Sequence, residues 1–241
     1  MMTPSSQVRY GGHQSQFVEI WHPGVEDVVA GLAIVLHGGW WRARHDLHLM
    51  DGLCADLAEA GWLVANVEYR RTGGGGGWPH TLHDVFGAID AVHAFEPAAR
   101  GLASVAIGHS AGAHLALMTT ANRKVSSAIA LAPITDLRRT FIEELGEGAT
   151  SLFIGDSLDE QPEVFAAASP ICQLPMGGRL LVLHGDHDDR VPVQHSRDFI
   201  TAARAAGDMV DYAEIAGADH FEVIDPLHRS WGEARKWLTN I

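Results

Sequence analysis

The chain has 241 residues, 46% of them hydrophobic, enough to bury one sizeable core, and a length of this order is common for a single α/β domain. Its 17 Lys and Arg against 30 Asp and Glu leave a formal charge of −13, which repels phosphate backbones and anionic lipid, so neither nucleic acid nor a membrane is an expected partner. The opening MMTPSSQVRYGGHQSQ lacks a charged region followed by an apolar core, no stretch reaches span length, and Cys54 and Cys172 have no disulfide or metal spacing, so a cytoplasmic setting is the expectation.

In chain order, FVEIW (17–21) reads as an antiparallel edge strand. A repeating rhythm follows, in which a short β-rich run ends in glycine or a turn and leads into a segment of helical spacing. GLAIVLHGG (31–39) precedes DLHLMDGLCADLAEAG (46–61), GWLVANVEYR (61–70) precedes TLHDVFGAIDAVHAF (81–95), and LASVAIGHS (102–110) precedes AGAHLALMTTA (111–121). KVSSAIALAP (124–133), RLLVLHGD with VQHSRDFITAARAAG (179–186, 193–207), and DMVDYAEIAG with DPLHRSWGEARKWLTNI (208–217, 225–241) complete the series. Alternation of this kind predicts one α/β domain over residues 1–241, a mostly parallel twisted sheet with helices on both faces. Scattered Gly and Pro from about residue 134 to 178 break the rhythm and predict a small cap insertion above the sheet. The run Gly73–Gly77 reads as a mobile loop after a strand end, bordering a pocket mouth with Trp78 as an apolar flap. No Lys-Ser/Thr pair follows these glycines, which argues against a phosphate loop.

In open parallel sheets, ligands bind beyond the carboxyl ends of the strands. Ser110 stands at such an end inside Gly108-His109-Ser110-Ala111-Gly112, a match to G-x-S-x-G, whose small residues let a strand turn sharply into a helix while the serine projects. A serine hydroxyl is a weak nucleophile until a positioned base takes its proton. Of 15 histidines, His220 lies in the loop after the last predicted strand, where an imidazole can lean over the sheet toward Ser110. LLVLHGDHDDRVP supplies Asp186, Asp188 and Asp189 to hold that imidazole in one tautomer; Asp188 is the expected partner, with the other two as alternatives in the same loop. A metal reading of His184, Asp186, His187 and Asp188 would leave the serine motif unexplained. HGGWW (37–41) follows a strand, and its glycines let backbone N–H groups approach a substrate; Gly39, Trp40 and Ala111 are the expected oxyanion donors. Trp41, His109 and Trp78 are the expected pocket walls.

HGGWW, GHSAGAHLA, HGDHDDRVP and GADHFEVID stand in this order between about Ala33 and Asp225. Together they resemble the α/β-hydrolase superfamily, nearest to the small esterases, prolyl-oligopeptidase-like hydrolases and arylformamidases that carry HGG-(W/Y)-W. The resemblance implies that fold and a serine hydrolase with the triad Ser110, Asp188 and His220; matching HGxxDxxVP carries the acid to Asp188. EYRR…WPHTLHDV resembles the YR…P…DV segment of the same group, and the five glycines within it are the departure. The implied substrate is a small to medium carboxylic ester, with an N-formyl arylamine as the alternative, and neither metal nor organic cofactor is expected. A homodimer is compatible with the sequence. Proteins of this fold also serve as binding modules without turnover; the presence of all three triad positions points to catalysis.

Overall fold

A computed structural model describes residues 2–24 and 29–241. Eight strands form one sheet: β1 (Ser6–Arg9), β2 (Phe17–Trp21), β3 (Leu32–Leu36), β4 (Leu63–Glu68), β5 (Ser104–His109), β6 (Ser127–Leu131), β7 (Arg179–Gly185) and β8 (Met209–Ile215). They lie in the order β1-β2-β4-β3-β5-β6-β7-β8. β1 and β2 are antiparallel to their neighbours and every pairing from β4 to β8 is parallel. FVEIW is therefore antiparallel but not the edge, because Ser6–Arg9 pairs along its outer side. The short alternating run SQVR has too few apolar residues to announce itself as a strand.

The inner strands are covered on both sides, which is why β3, β4 and β6 are mostly apolar and buried throughout, with Asn66 and Glu68 the buried polar residues of β4. Alternation sorts their side chains between two layers. On one face Ala33 and Val35 of β3 pack with Leu53 and Leu57 of α1 (Asp51–Glu59) and with Trp231 and Trp237 of α8 (Arg229–Leu238). On the other, Ile34 and Leu36 pack with Val85 and Ile89 of α2 (His80–Phe95) and Leu115 of α3 (Ala111–Ala121). α7 (Gln194–Ala206) extends that layer through Phe199 and Ala203. Ten of the eleven residues of α3 are buried, as its lack of a polar face requires.

Connections leave β3 toward β4 on one side and reach β5 on the other, so the chain changes direction between β3 and β5. Such a switch point opens a crevice at the strand ends. The HGGWW turn and Ser110 both stand there. Between β6 and β7 the stretch 134–178 carries α4 (Leu137–Ile142), α5 (Ala149–Ile154) and α6 (Pro162–Ala167). No helix among the described residues is long and apolar enough to cross a membrane, and Cys54 and Cys172 are unbonded.

Backbone hydrogen bonds tie down much of the glycine run. Gly74 and Gly76 donate to the Arg71 carbonyl, Gly77 donates to Thr81 Oγ1 at 2.9 Å, and Trp78 donates to the Phe153 carbonyl at 2.7 Å. A Cβ on Gly76 would stand 2.2 Å from the Arg70 carbonyl oxygen, so a tight backbone approach demands glycine there. Composition suggested mobility because it does not reveal such contacts. Gly76→Ala is expected to destabilise the fold by about 1–3 kcal/mol, whereas Gly101→Ala, with open space around its Cβ, should stay within about 0.5 kcal/mol of the parent; urea unfolding of both variants checks the contrast.

Candidate active site

Ser110 occupies a strained elbow at the end of β5. Its φ of 55° and ψ of −117° lie where side chains with a Cβ are rarely found. The flanking glycines make the turn feasible: a Cβ on Gly108 would fall 2.1 Å from the Gly112 carbonyl oxygen, and one on Gly112 would fall 2.1 Å from that of Leu36. Ser110 N–H donates to the Leu131 carbonyl at 2.8 Å, which fixes the elbow to β6.

The histidine comes from the far side of the sheet. His220, in the loop after β8, is 4% exposed and its Nδ1–H donates to Asp188 Oδ2 at 2.6 Å. Asp188 follows β7, and its side chain is fully covered. Its Oδ1 accepts the N–H groups of Arg190 and Val191, both at 2.8 Å, and its Oδ2 also accepts from His184 Nε2 at 3.1 Å. Burial by itself would push the Asp188 carboxyl up; the hydrogen bonds from His184 and His220 outweigh it and hold the group well below the usual carboxylate range. Asp188 is thus held as a carboxylate at neutral pH. The two alternatives do not reach His220: Asp186 accepts Gly217 N–H at 2.5 Å, and Asp189 points outward beside Arg190 at 3.3 Å.

In the sequence His184 stood as the first residue of the HGxxDxxVP match and in a metal reading that left the serine motif unexplained. Its Nε2–H bridges Asp188 and the Val191 carbonyl, and its Nδ1 accepts from Ser196 Oγ at 2.7 Å. The signal for it was the position, at the buried end of a strand directly before the acidic loop.

The HGGWW turn is held from beneath. Tyr69, in the EYRR segment, donates its hydroxyl to the His37 carbonyl at 2.6 Å and stacks on the His37 ring at 4.3 Å. Arg70 closes the same segment by gripping Asp84 at 2.8 and 2.7 Å, so this part of the motif serves architecture. Gly39 has φ 117° and Trp40 φ 55°, and the N–H groups of Gly39, Trp40 and Ala111 make no hydrogen bond among the described residues. Gly39, Trp40, His109, Ser110 and His220 all face one pocket of about 460 Å³. Its outer wall comes from Arg42, Phe221 and the 144–147 turn of the cap stretch, none of which the sequence singled out.

Two expected walls are elsewhere. Trp41 is wholly buried, stacked on Phe153 at 4.2 Å and edge-on to His114 at 5.1 Å, and Trp78 packs against the same Phe153 and His114. The turn after β3 sends consecutive tryptophans in opposite directions, one to the pocket and one to the core, a choice that spacing does not encode. His109 does line the pocket, where its Nε2–H donates to the His220 carbonyl at 2.8 Å. Burial, with His220 beside it, holds its pKa well below the ordinary histidine value.

The profile of the BD-FAE family matches residues 18–202. The chain belongs to the BD-FAE family. Esterase LipC of Mycobacterium tuberculosis is 29% identical over 91% of this chain and 60% of its own length, and esterase LipQ of the same organism is 28% identical over 90% and 56%. This BD-FAE chain thus spans well under two thirds of either relative. Kynurenine formamidase of Drosophila melanogaster is 22% identical over 97% of the chain and 80% of its own length. Among solved structures, a truncated carbohydrate esterase from gut microbiota superposes with a TM-score of 0.87 at 19% identity, covering 99% of this chain and 96% of that one. Thermogutta terrifontis esterase 2 phosphonylated by sarin superposes with 0.81 at 21%, covering 100% and 96%. The fold of this BD-FAE member is the α/β-hydrolase fold.

Behind the pocket, His114 donates Nε2–H to the Ala168 carbonyl at 2.7 Å. Burial lowers its pKa from 6.5 to about 4, partly offset by that bond. The unfolded chain therefore binds one more proton than the folded one between these values, and stability falls as pH drops through the window. The contribution is on the order of 3 kcal/mol, complete above the ordinary histidine pKa and gone below the folded one. Urea titrations across that range should show it, and His114→Gln, which cannot titrate, should flatten the slope.

Proposed function

We propose that this chain is a serine hydrolase that cleaves small to medium carboxylic esters through an acyl-enzyme. The observation that carries the reading is His220, bonded at 2.6 Å to the covered Asp188, lining the same pocket as a serine held in a strained strand-to-helix elbow. With Nδ1–H committed to Asp188, His220 presents an unprotonated Nε2, which among the described residues makes no hydrogen bond. That nitrogen takes the Ser110 proton as the oxygen attacks the acyl carbon, then delivers it to the leaving alcohol. Contacts between nucleophile and base commonly tighten only with substrate bound.

Asp188 stays ionised through the cycle, orients the ring and stabilises the imidazolium. Its four donors prevent it from turning away when His220 becomes charged. The developing oxyanion is received by Ala111 N–H and by that of Gly39 or Trp40, groups that make no hydrogen bond among the described residues. Each such donor is worth roughly 3 kcal/mol of transition-state stabilisation. Water, activated by the same imidazole, then clears the acyl group. The similarity to a kynurenine formamidase over most of both chains supports N-formyl arylamine hydrolysis as a second reading, since the same groups serve amide and ester. Two unbonded cysteines fit a reducing, cytoplasmic setting.

Ser110→Ala should abolish hydrolysis of p-nitrophenyl acetate and labelling by a fluorophosphonate while leaving the unfolding midpoint nearly unchanged; residual activity above a few percent of wild type would remove Ser110 from the attacking role. Asp188→Asn should lower kcat by about three to four orders of magnitude and also lower the Tm, because a carboxylate serving four donors is lost. Asp189→Asn, at a side chain 76% exposed, should change neither. Initial rates on aryl esters and on N-formyl arylamines, with thermal melts of each variant, provide the comparison.

A further inference from the structure

The loop that carries His220 is fastened to the end of β7. His187 N–H donates to the Ala218 carbonyl at 3.1 Å, and Gly217 N–H donates to the Asp186 carboxylate. Gly185 lies so near Ala218 that a Cβ on it would stand 2.1 Å from that carbonyl oxygen. Asp188, just beyond the same strand, holds the imidazole itself. All of these contacts set His220 against β7. None of them relates it to Ser110, which stands two strands away at the end of β5.

His109 supplies that relation. It immediately precedes Ser110 and is 1% exposed. Its Nε2–H donates to the His220 carbonyl at 2.8 Å, and among the described residues this is the one hydrogen bond joining residues 216–222 to β5, Ser110 or α3. The His109 ring centroid lies 4.6 Å from that of His220 and 5.8 Å from that of Phe221, so both rings of the loop rest on it.

The other ring nitrogen meets the HGGWW turn. Nδ1 is covered and has no partner, and a Cβ on Gly38 would stand 2.8 Å from it. Position 38 is therefore glycine because the His109 ring takes the space of a side chain. With a carbonyl at Nε2 and no acceptor at Nδ1, the ring carries its hydrogen on Nε2. Three parts of the site meet on this one ring: the residue before the nucleophile, the HGGWW turn and the histidine loop.

From this geometry we infer that His109 is a positioning residue for the reaction: joined to the backbone of the nucleophile, its ring sets the spacing between the His220 loop and Ser110 and wedges the HGGWW turn at the same distance. This rests on the hydrolase reading above. Asp188 orients the imidazole and His109 sets where that imidazole stands, so the two residues act on different coordinates of the same base. Displacing a reacting group by about 1 Å can cost on the order of 100-fold in rate. Loss of the His109 contact is therefore felt in the chemical steps and not in substrate binding.

Two amides of unequal length separate position from polarity. The amide nitrogen of Gln stands about where His Nε2 stands and that of Asn about where Nδ1 stands, so only Gln reaches the His220 carbonyl. His109→Asn, and His109→Leu, which fills space and donates nothing, should each lower kcat for p-nitrophenyl acetate about 10- to 100-fold, with KM within about twofold of wild type. His109→Gln should recover most of that loss, and the rate of fluorophosphonate labelling should follow the same order. In proton NMR spectra the low-field resonance of His220 Nδ1–H, identified by its absence in His220→Gln, should persist in all three His109 variants, because the bond to Asp188 is untouched. Equal kcat in the Gln and Asn variants overturns the positioning role, whether or not the Leu variant folds, and so does a change confined to KM. Loss of the low-field resonance in the Asn variant also overturns it, since the substitution then acts through the Asp188 pair. A wild-type protein that neither hydrolyses aryl esters nor reacts with the fluorophosphonate overturns the hydrolase reading, and the positioning role falls with it; the wild-type measurement alone distinguishes that failure from the others.

Discussion

The close approach of three backbone segments at the centre of the sheet sets everything above it. β3 ends, β5 ends and α3 begins within contact of one another, with no room for a Cβ on Gly108 or Gly112. Parallel pairing places Leu36 beside Gly108, so the carbonyl that excludes a side chain on Gly112 belongs to the strand carrying the HGGWW turn. The elbow that exposes Ser110 and the loop that brings Gly39 and Trp40 to it are thus consequences of one packing event. A residue larger than glycine at either position would separate serine and loop together.

Around that fixed point the polar groups form a graded set. Asp188 accepts four hydrogen bonds and remains charged, while His109 and His114, buried with only a carbonyl partner each, remain neutral. A neutral His109 matters because its ring centroid lies 4.6 Å from that of His220, where a second positive charge would oppose the imidazolium. Environment therefore separates chemically similar side chains: one carboxylate among three is enclosed and supplied with donors, and among the histidines that line the pocket His220 is the one hydrogen-bonded to it.

The cap stretch joins this arrangement at several places. Trp40 of the HGGWW turn and Arg42 just beyond it grip the strained 144–148 turn, so the outer pocket wall is fastened to that loop. A second connection runs through α4, where Glu143 pairs with His195 of α7 at 2.9 Å and Arg139 bridges Glu143 and Asp198, both at 2.6 Å. Further links run from His114 to the Ala168 carbonyl, from Trp78 N–H to the Phe153 carbonyl and through Trp41 stacked on Phe153.

The alternation of apolar strands with helical spacing and the glycines around Ser110 were legible in the sequence because each follows from local rules of backbone geometry and burial, whereas the order of serine, acid and histidine was read from the family resemblance. The placement of Asp188 relied on family spacing; what sets it apart physically is the enclosure that gives it four donors while Asp186 and Asp189 face outward. The direction of each tryptophan was not legible, since Trp40 and Trp41 are neighbours in the chain and part only in three dimensions, where Phe153 and His114 from other segments claim Trp41. The glycine run misled for a related reason: five glycines suggest freedom, but the Arg70 and Arg71 carbonyls and Thr81 convert them into a fixed turn. His184, Arg42 and the 144–147 wall depend on contacts between segments far apart in sequence, and a residue's partner across such a distance is decided by how the layers pack.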